Sequence, residues 1–341
     1  MNNQQKFLLG AAFGATAVLA ASRAARNRHG IEFSGRTVVI TGGSRGLGLV
    51  IARQLAAEGA RICLLARDET ELDRARAQVE ERGAAEVMTI VCDVRRLNDV
   101  RTTVAEILHR WMGIDVLINN AGVIQVGPLE HMTHEDFENA MATHFWGPLY
   151  LMQECVPAMR RRSFGRIVNI SSIGGQVAVP HLAPYCASKF ALAGLSDAVR
   201  AELAQYGIRV TTVSPGLMRT GSPINAEVKG QHEAEFTWFA ISDALPGVSI
   251  SAERAARQIV EACRFGDPEL TITLPAKLAV VANAAVPGLV ARGMMLATRL
   301  LPGPSGPDGD RLQSGRQSRS RWAPSVMTML SDRAAVANNE V

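Results

Sequence analysis

Between residues 37 and 274 the chain alternates short runs rich in Val, Ile, Leu and Thr with longer stretches of helical spacing, and no other feature narrows its fold as much. The runs fall at 37–41, 61–66, 87–92, 115–119, 166–171, 208–214 and 270–274. A strand that returns through a helix to the next strand gives parallel pairing, and apolar runs of this kind need cover on both faces. The chain is therefore expected to be an α/β protein with a parallel sheet between two helical layers. With 341 residues, 47% of them hydrophobic and 20% charged, it can bury one large core, an α/β domain of roughly 250 residues plus extensions. No internal repeat is present.

The first run leads into Thr41-Gly-Gly-Ser-Arg-Gly-Leu-Gly48 and an apolar helix. Gly42, Gly46 and Gly48 permit a tight turn and let N–H groups at the helix start approach a pyrophosphate. The Gly-x-x-x-Gly-x-Gly spacing departs from the usual dinucleotide fingerprint, and a merely structural turn would use the same glycines. In sheets of this type an acidic residue at the end of the second strand holds a ribose diol, whereas an Arg nearby suits a 2′-phosphate. Here the second run ends Leu65-Ala66-Arg67 and Arg45 lies in the glycine turn, which favours NADP over NAD, with Asp68 as the rival carboxylate. Asp93 ends the third run beside the expected adenine. Asn119-Asn-Ala-Gly122 ends the fourth, where Asn and Gly also suit an ordinary turn.

Tyr185 and Lys189 stand four apart in a stretch of helical spacing from 184 to 206, so both side chains leave one helix face a turn apart. A phenol of unperturbed pKa about 10 is a poor acid–base catalyst near neutrality, and a fixed cation beside it favours the phenolate. Ser172, at the end of the fifth run, brings a hydroxyl that can hydrogen-bond a carbonyl oxygen next to that phenol. Together the three groups can move a proton on and off an alcohol oxygen. The bland alternative is a surface helix with Tyr packed and Lys solvated.

These residues carry a resemblance. The glycine turn, Asn119-Asn-Ala-Gly122, Ser172 with Tyr185 and Lys189, and Ser214-Pro-Gly216 with Thr220 occur in the order found in the short-chain dehydrogenase/reductase family, and the resemblance covers residues 33 to 274. It implies one Rossmann-type domain with a seven-stranded sheet, an NAD(P)(H) cofactor, and Tyr185 as general acid–base. Lys189 is then expected to lower the tyrosine pKa and hold the nicotinamide ribose, and Ser172 to orient the carbonyl. Expected cofactor contacts are Gly42, Ser44, Arg45, Gly46, Leu47 and Gly48 in the turn, Arg67, Asp93 and Val94 around the adenosine, and Asn120, Ala121 and Gly122 beyond the fourth strand. Tyr185, Lys189, Pro215, Gly216 and Thr220 complete the nicotinamide end. His144 stands where the family usually carries Asn, so the family's proton relay through Asn and water to Lys189 would here pass through a backbone carbonyl or through the imidazole itself.

The flanks are less specific. Residues 7–22 carry no charge and are followed by Arg23, Arg26 and Arg28. At about 1.5 Å per residue they reach about 24 Å, short of a roughly 30 Å hydrocarbon core. They are open to three readings: a short membrane anchor leaving the rest of the chain in the cytoplasm, a cleaved signal peptide, or a helix packed on the protein. The organisation expected is an apolar segment with a basic flank at 1–30, a catalytic domain at 31–275, apolar helices at 276–301 and a flexible tail at 302–341. Within 275–301, Leu289, Val290, Met294, Ala297, Leu300 and Leu301 gather on one helix face and need a cover. The enzyme body or a dimer mate is the first choice and a membrane surface the second. Phe236, Trp238 and Phe239 lie in the segment after the Pro-Gly turn, where they can wall an apolar pocket or simply pack. The five cysteines show no Cys-x-x-Cys pair, which suits buried thiols rather than a metal site. The net charge of +4 is not interleaved with aromatics, which argues against a nucleic-acid partner.

The activity expected is an NADP(H)-dependent oxidoreduction of an apolar secondary alcohol and its ketone by a homodimer or homotetramer, on the cytoplasmic face of a membrane or in the cytoplasm. The alternative is a nucleotide-bound, membrane-associated scaffold or redox sensor.

Overall fold

In the computed structural model, which describes Arg26 and residues 29–341, the seven apolar runs form one parallel sheet. In chain order the elements are β1 (Thr37–Thr41), α1 (Gly46–Ala56), β2 (Arg61–Ala66), α2 (Glu69–Glu81), β3 (Glu86–Val91), α3 (Leu97–Trp111) and β4 (Val116–Asn119). There follow α4 (His134–Met141), α5 (Gly147–Arg161), β5 (Gly165–Ile170), α6 (Ala183–Leu203), β6 (Ile208–Pro215), α7 (His232–Ala244), α8 (Ala252–Phe265) and β7 (Glu269–Ile272). The chain ends with α9 (Leu274–Ala285), α10 (Pro287–Thr298) and α11 (Met329–Ala337). The strand order is β7-β6-β5-β4-β1-β2-β3, with every neighbouring pair parallel. The order reverses between β1 and β4, and at such a switch point the strand ends diverge and open a crevice for a ligand.

The strands are apolar throughout because both faces are covered. Val38 and Ile40 point to one side with Leu49, Ile51 and Leu55 of α1, Leu72 and Val79 of α2, and Ile259 of α8. Val39 points to the other, with Val104 and Ile107 of α3 and Leu151 and Met159 of α5. The period-2 alternation of a strand thus feeds two cores, each fully buried Leu or Ile contributing about 1.5–3 kcal/mol. All five cysteines are buried and free, and Cys63 and Cys155 belong to the second core.

The flanks depart from expectation. The apolar segment at 7–22 lies outside the described residues, and among those described no helix is long and apolar enough to cross a membrane. The apolar face expected to cover the enzyme body or a dimer mate does not cover the body: α10 has no buried residue, and Leu289 and Leu300 are 62% and 89% exposed. Residues 302–341, expected as a flexible tail, instead pack on the catalytic domain. His131 Nδ1 meets Asp310 at 2.7 Å, Gln313–Ser314 pairs antiparallel with residues 227–228, and the Gly315 N–H donates to Ala226 O at 2.7 Å. Glycine-, proline- and serine-rich composition lowers the gain from a regular element, but it does not prevent backbone groups from pairing with a waiting strand edge.

Candidate active site

Ser172, Tyr185 and Lys189 meet at the carboxyl ends of the strands. α6 begins at Ala183, with Pro184 in its first turn where a missing N–H costs nothing, and carries Tyr185 and Lys189 on one face. The Lys189 ammonium lies 5.6 Å from the centre of the Tyr185 ring and donates to Ile170 O at 2.8 Å. Ser171 Oγ donates to Lys189 O at 2.9 Å, which ties α6 to the end of β5. Ser172 Oγ accepts the Gly174 N–H at 3.0 Å, leaving the hydroxyl proton to donate.

Burial decides the electrostatics here. It holds Lys189 down to about 7, and it pushes the Tyr185 phenol above its ordinary value, with hydrogen bonding from Ser172 pulling the other way. The lowering expected from the lysine cation is outweighed, because the same desolvation that raises the phenol also discourages the ammonium.

The half of the site expected to hold the adenosine is built around the glycine turn. Gly42 and Gly46 take positive φ, 61° and 55°, and a Cβ on Gly42 would stand 3.0 Å from Ala121 Cα. A Cβ on Gly48 would fall on the Gly42 carbonyl oxygen, so the turn can close on α1 only with glycine there. Asn120 Nδ2 donates to Thr41 O at 3.0 Å, and the Asn120 and Ala121 N–H groups both donate to Thr41 Oγ1 at 2.9 Å. These bonds lock the end of β4 to the turn. Asp93 is gripped by Arg95, Nε to Oδ1 at 2.9 Å, which holds its carboxyl below the usual range. One oxygen of Asp68 caps α2, accepting the Glu71 N–H at 2.8 Å, and the residue itself lines the cleft.

A cleft of about 590 Å³ joins the two halves. Gly42, Ser44, Arg45, Gly46, Leu47, Arg67, Asp93, Val94, Asn120, Ala121 and Gly122 line it, as do His144, Ser172, Tyr185, Lys189, Pro215 and Gly216. Two expected contacts do not: Gly48 faces the turn, and Thr220, 2% exposed, bonds Ser222 Oγ at 2.6 Å. The run of glycine turn, strand ends and Lys189 along one continuous cleft, with a helix start facing it, fits an extended dinucleotide. The sequence reading missed Glu71, Asn225 and Glu340 on the walls. Arg45 bonds both Glu71, at 3.3 Å, and Asn225 Oδ1, at 2.8 Å. No periodic or motif signal marks these three residues.

His144 is fully buried in an irregular turn, Ala142–Trp146, where the helix widens between α4 and α5. Its Nε2 accepts the Val123 N–H at 3.1 Å, which leaves Nδ1 to donate to Ser188 Oγ at 2.7 Å, and Ser188 donates onward to Tyr185 O at 2.8 Å. Burial, with the Lys189 charge adding, holds the imidazole well below its ordinary pKa, so it is neutral. Among the three aromatics after the Pro-Gly turn, Phe239 and Trp238 pack in a cluster that includes Tyr185 and Leu182. Phe236 packs instead on Ala323 of the tail.

Comparison with known proteins agrees with this architecture. The sequence signature described as short chain dehydrogenase matches residues 36–230. Dehydrogenase/reductase SDR family member 7B of Bos taurus is 32% identical over 268 residues, 77% of this chain and 81% of that protein. A putative ketoacyl reductase of Streptomyces coelicolor is 37% identical over 193 residues, 56% of this chain and 73% of that protein. The crystal structure of a short-chain dehydrogenase from Streptomyces avermitilis is similar with a TM-score of 0.67 at 28% identity, covering 79% of this chain and 99% of that one.

Proposed function

The chain belongs to the short-chain dehydrogenase/reductase family and is an oxidoreductase acting on CH–OH groups with NAD(P), and on that premise we propose that it interconverts an apolar secondary alcohol and its ketone with NADP(H). The observation that carries the reading is the meeting of Ser172, Tyr185 and Lys189 at the end of the dinucleotide-shaped cleft. The nicotinamide, when bound, supplies or accepts the hydride. The chain's own residues manage the proton. In the reductive direction Ser172 donates a hydrogen bond to the ketone oxygen, and the Tyr185 phenol gives that oxygen its proton as the carbonyl carbon is reduced. Lys189 then stabilises the phenolate until it is reprotonated. The oxidative direction reverses each transfer.

Surroundings and charge support the finer points. Val179, Leu182 and Phe239 pack with Tyr185, which suits an apolar substrate. Arg45 and Arg67 both lie on the cleft wall, and the rival carboxylate of Asp68, also on that wall, has one oxygen taken by its helix cap, which favours a 2′-phosphate over a free ribose diol. The apolar segment at 7–22 supports membrane association with the catalytic domain on the cytoplasmic side.

Purified protein is assayed with a panel of ketones and alcohols by NADPH absorbance. Tyr185→Phe should leave NADPH affinity within about twofold and cut turnover by about 1,000-fold or more, roughly 4 kcal/mol of barrier. Undiminished turnover in that variant would sink the assignment.

A further inference from the structure

The last residues of the chain close over the cleft. After α11 the chain reaches α1, where Arg53 donates to Ala337 O at 2.9 Å and to Asn338 Oδ1 at 3.0 Å. Asn338 O then accepts the Gly46 N–H at 2.9 Å. Asn339 Nδ2 reaches Ser44 O at 3.3 Å, and Gln78 Nε2 donates to Asn339 Oδ1 at 3.0 Å. Crossing to the opposite lip, the Glu340 carboxylate accepts the Gly221 N–H, and Asn225 Nδ2 donates to Glu340 O at 3.3 Å. Glu340 is 6% exposed and forms part of the cleft wall.

The position of this segment is chemically telling. Gly46 opens α1, and the amides at a helix start are where an anion is best held, because their donors are unpaired and the helix dipole is positive there. Here the first of those amides is taken by a carbonyl, and a carboxylate stands against the same glycine: a Cβ on Gly46 would lie 3.1 Å from Glu340 Oε1. The other end of that carboxylate is held at Gly221, beside the Pro-Gly turn that borders the nicotinamide end. An acidic side chain therefore bridges the lip of the adenosine half and the lip of the nicotinamide half, the path a dinucleotide's anionic pyrophosphate would take.

We propose that residues 338–341 are a built-in competitor for the pyrophosphate site, so that a nicotinamide dinucleotide binds only as the chain's own end leaves the two lips. The inference rests on the cofactor reading of the cleft. It favours competition over clamping, since Asn338 O already occupies the Gly46 amide and the Glu340 side chain fills the space against Gly46 that a pyrophosphate would need. A segment docked for nine-tenths to ninety-nine hundredths of the time would weaken apparent nucleotide affinity about ten- to a hundredfold.

Dissociation constants of NADPH and NADH are measured for the full chain and for a chain ending at Ala337. Loss of the segment should tighten both nucleotides by the same factor, about tenfold or more, because both share the pyrophosphate. Equal affinities in the two chains, or weaker binding by the shortened one, overturn the inference while leaving the cofactor reading intact. Binding of neither nucleotide to either chain would sink both. A second measurement needs no altered protein: saturating the full chain with NADPH should speed amide hydrogen exchange at residues 338–341. Unchanged or slowed exchange there, the signature of a clamp, overturns it equally.

Discussion

At the scale of single residues, burial rather than charge pairing sets the chemistry at the Tyr185 end of the cleft. His144 is the clearest case. Its Nε2 is an acceptor for the Val123 N–H and its Nδ1 a donor to Ser188, and burial together with the Lys189 charge disfavours a second proton on the ring. Replacement by Asn should therefore keep turnover within about tenfold, or 1.4 kcal/mol. Any ionisation seen near neutrality in kcat/KM should survive the change, since Lys189, held to about 7, titrates there. A profile that loses that ionisation in His144→Asn would make the imidazole a proton carrier. Arg45 and Arg67 are tested by nucleotide choice. NADPH should bind more tightly than NADH, and changing both arginines to Ala should remove the preference while leaving NADH affinity nearly unchanged. Because Arg45 is shared with Glu71 and Asn225, its single replacement should cost less than the pair.

Among the elements, α6 and the first turn do most of the positioning. α6 delivers phenol and ammonium together because four residues make about one helical turn, and Ser171 anchors it to β5. The turn between β1 and α1 tolerates no side chain at Gly48, whose Cβ would strike the Gly42 carbonyl. The pair α9 and α10 behaves differently. Its residues are apolar, yet Leu278, Leu289, Met295 and Leu300 are all exposed, and no acidic residue occurs between Glu269 and Asp308. On the proposed membrane association, an exposed apolar surface of this kind is expected to add to the contribution of residues 7–22. The full chain is expected to sediment with membranes and a chain beginning at Ile31 to be more soluble. Finding both wholly in the supernatant would remove the anchor reading.

Over the whole molecule, the docked tail couples the two ends of the cleft to pH. Burial pushes Glu340 up to about 7, with the Gly221 amide and Arg45 pulling down and Glu71 pushing up. Asp243 of α7 is pushed up to about 8 by burial and by Glu340. Carboxyls raised above their unfolded values hold protons that the undocked chain has already lost. Their contribution is full below about pH 4.5 and fades as pH rises through 7 to 8. Lys189 and His144 are shifted the opposite way, so only a difference isolates the effect. Relative to the native chain, Glu340→Gln should gain in thermal midpoint between pH 5.5 and pH 8.5, and a difference that is flat with pH would refute the coupling. As for what was legible in advance, the sequence by itself determined the seven strands to within a residue or two, the glycine turn, and Tyr185 and Lys189 on one helix face, whereas Ser172 joins them only through the packing of β5 against α6. The strands, the turn and the helix pair rest on local periodicity, on backbone freedom at glycine, or on one turn of helix, which neighbours in the chain decide. Only the tertiary structure decided the direction of the Tyr185 shift, the neutrality of His144, the exposure of α10 and the seat of Glu340. Each depends on which surfaces come together from 40 to nearly 300 residues away, and desolvation and amide pairing at such distances leave no periodic trace in the chain.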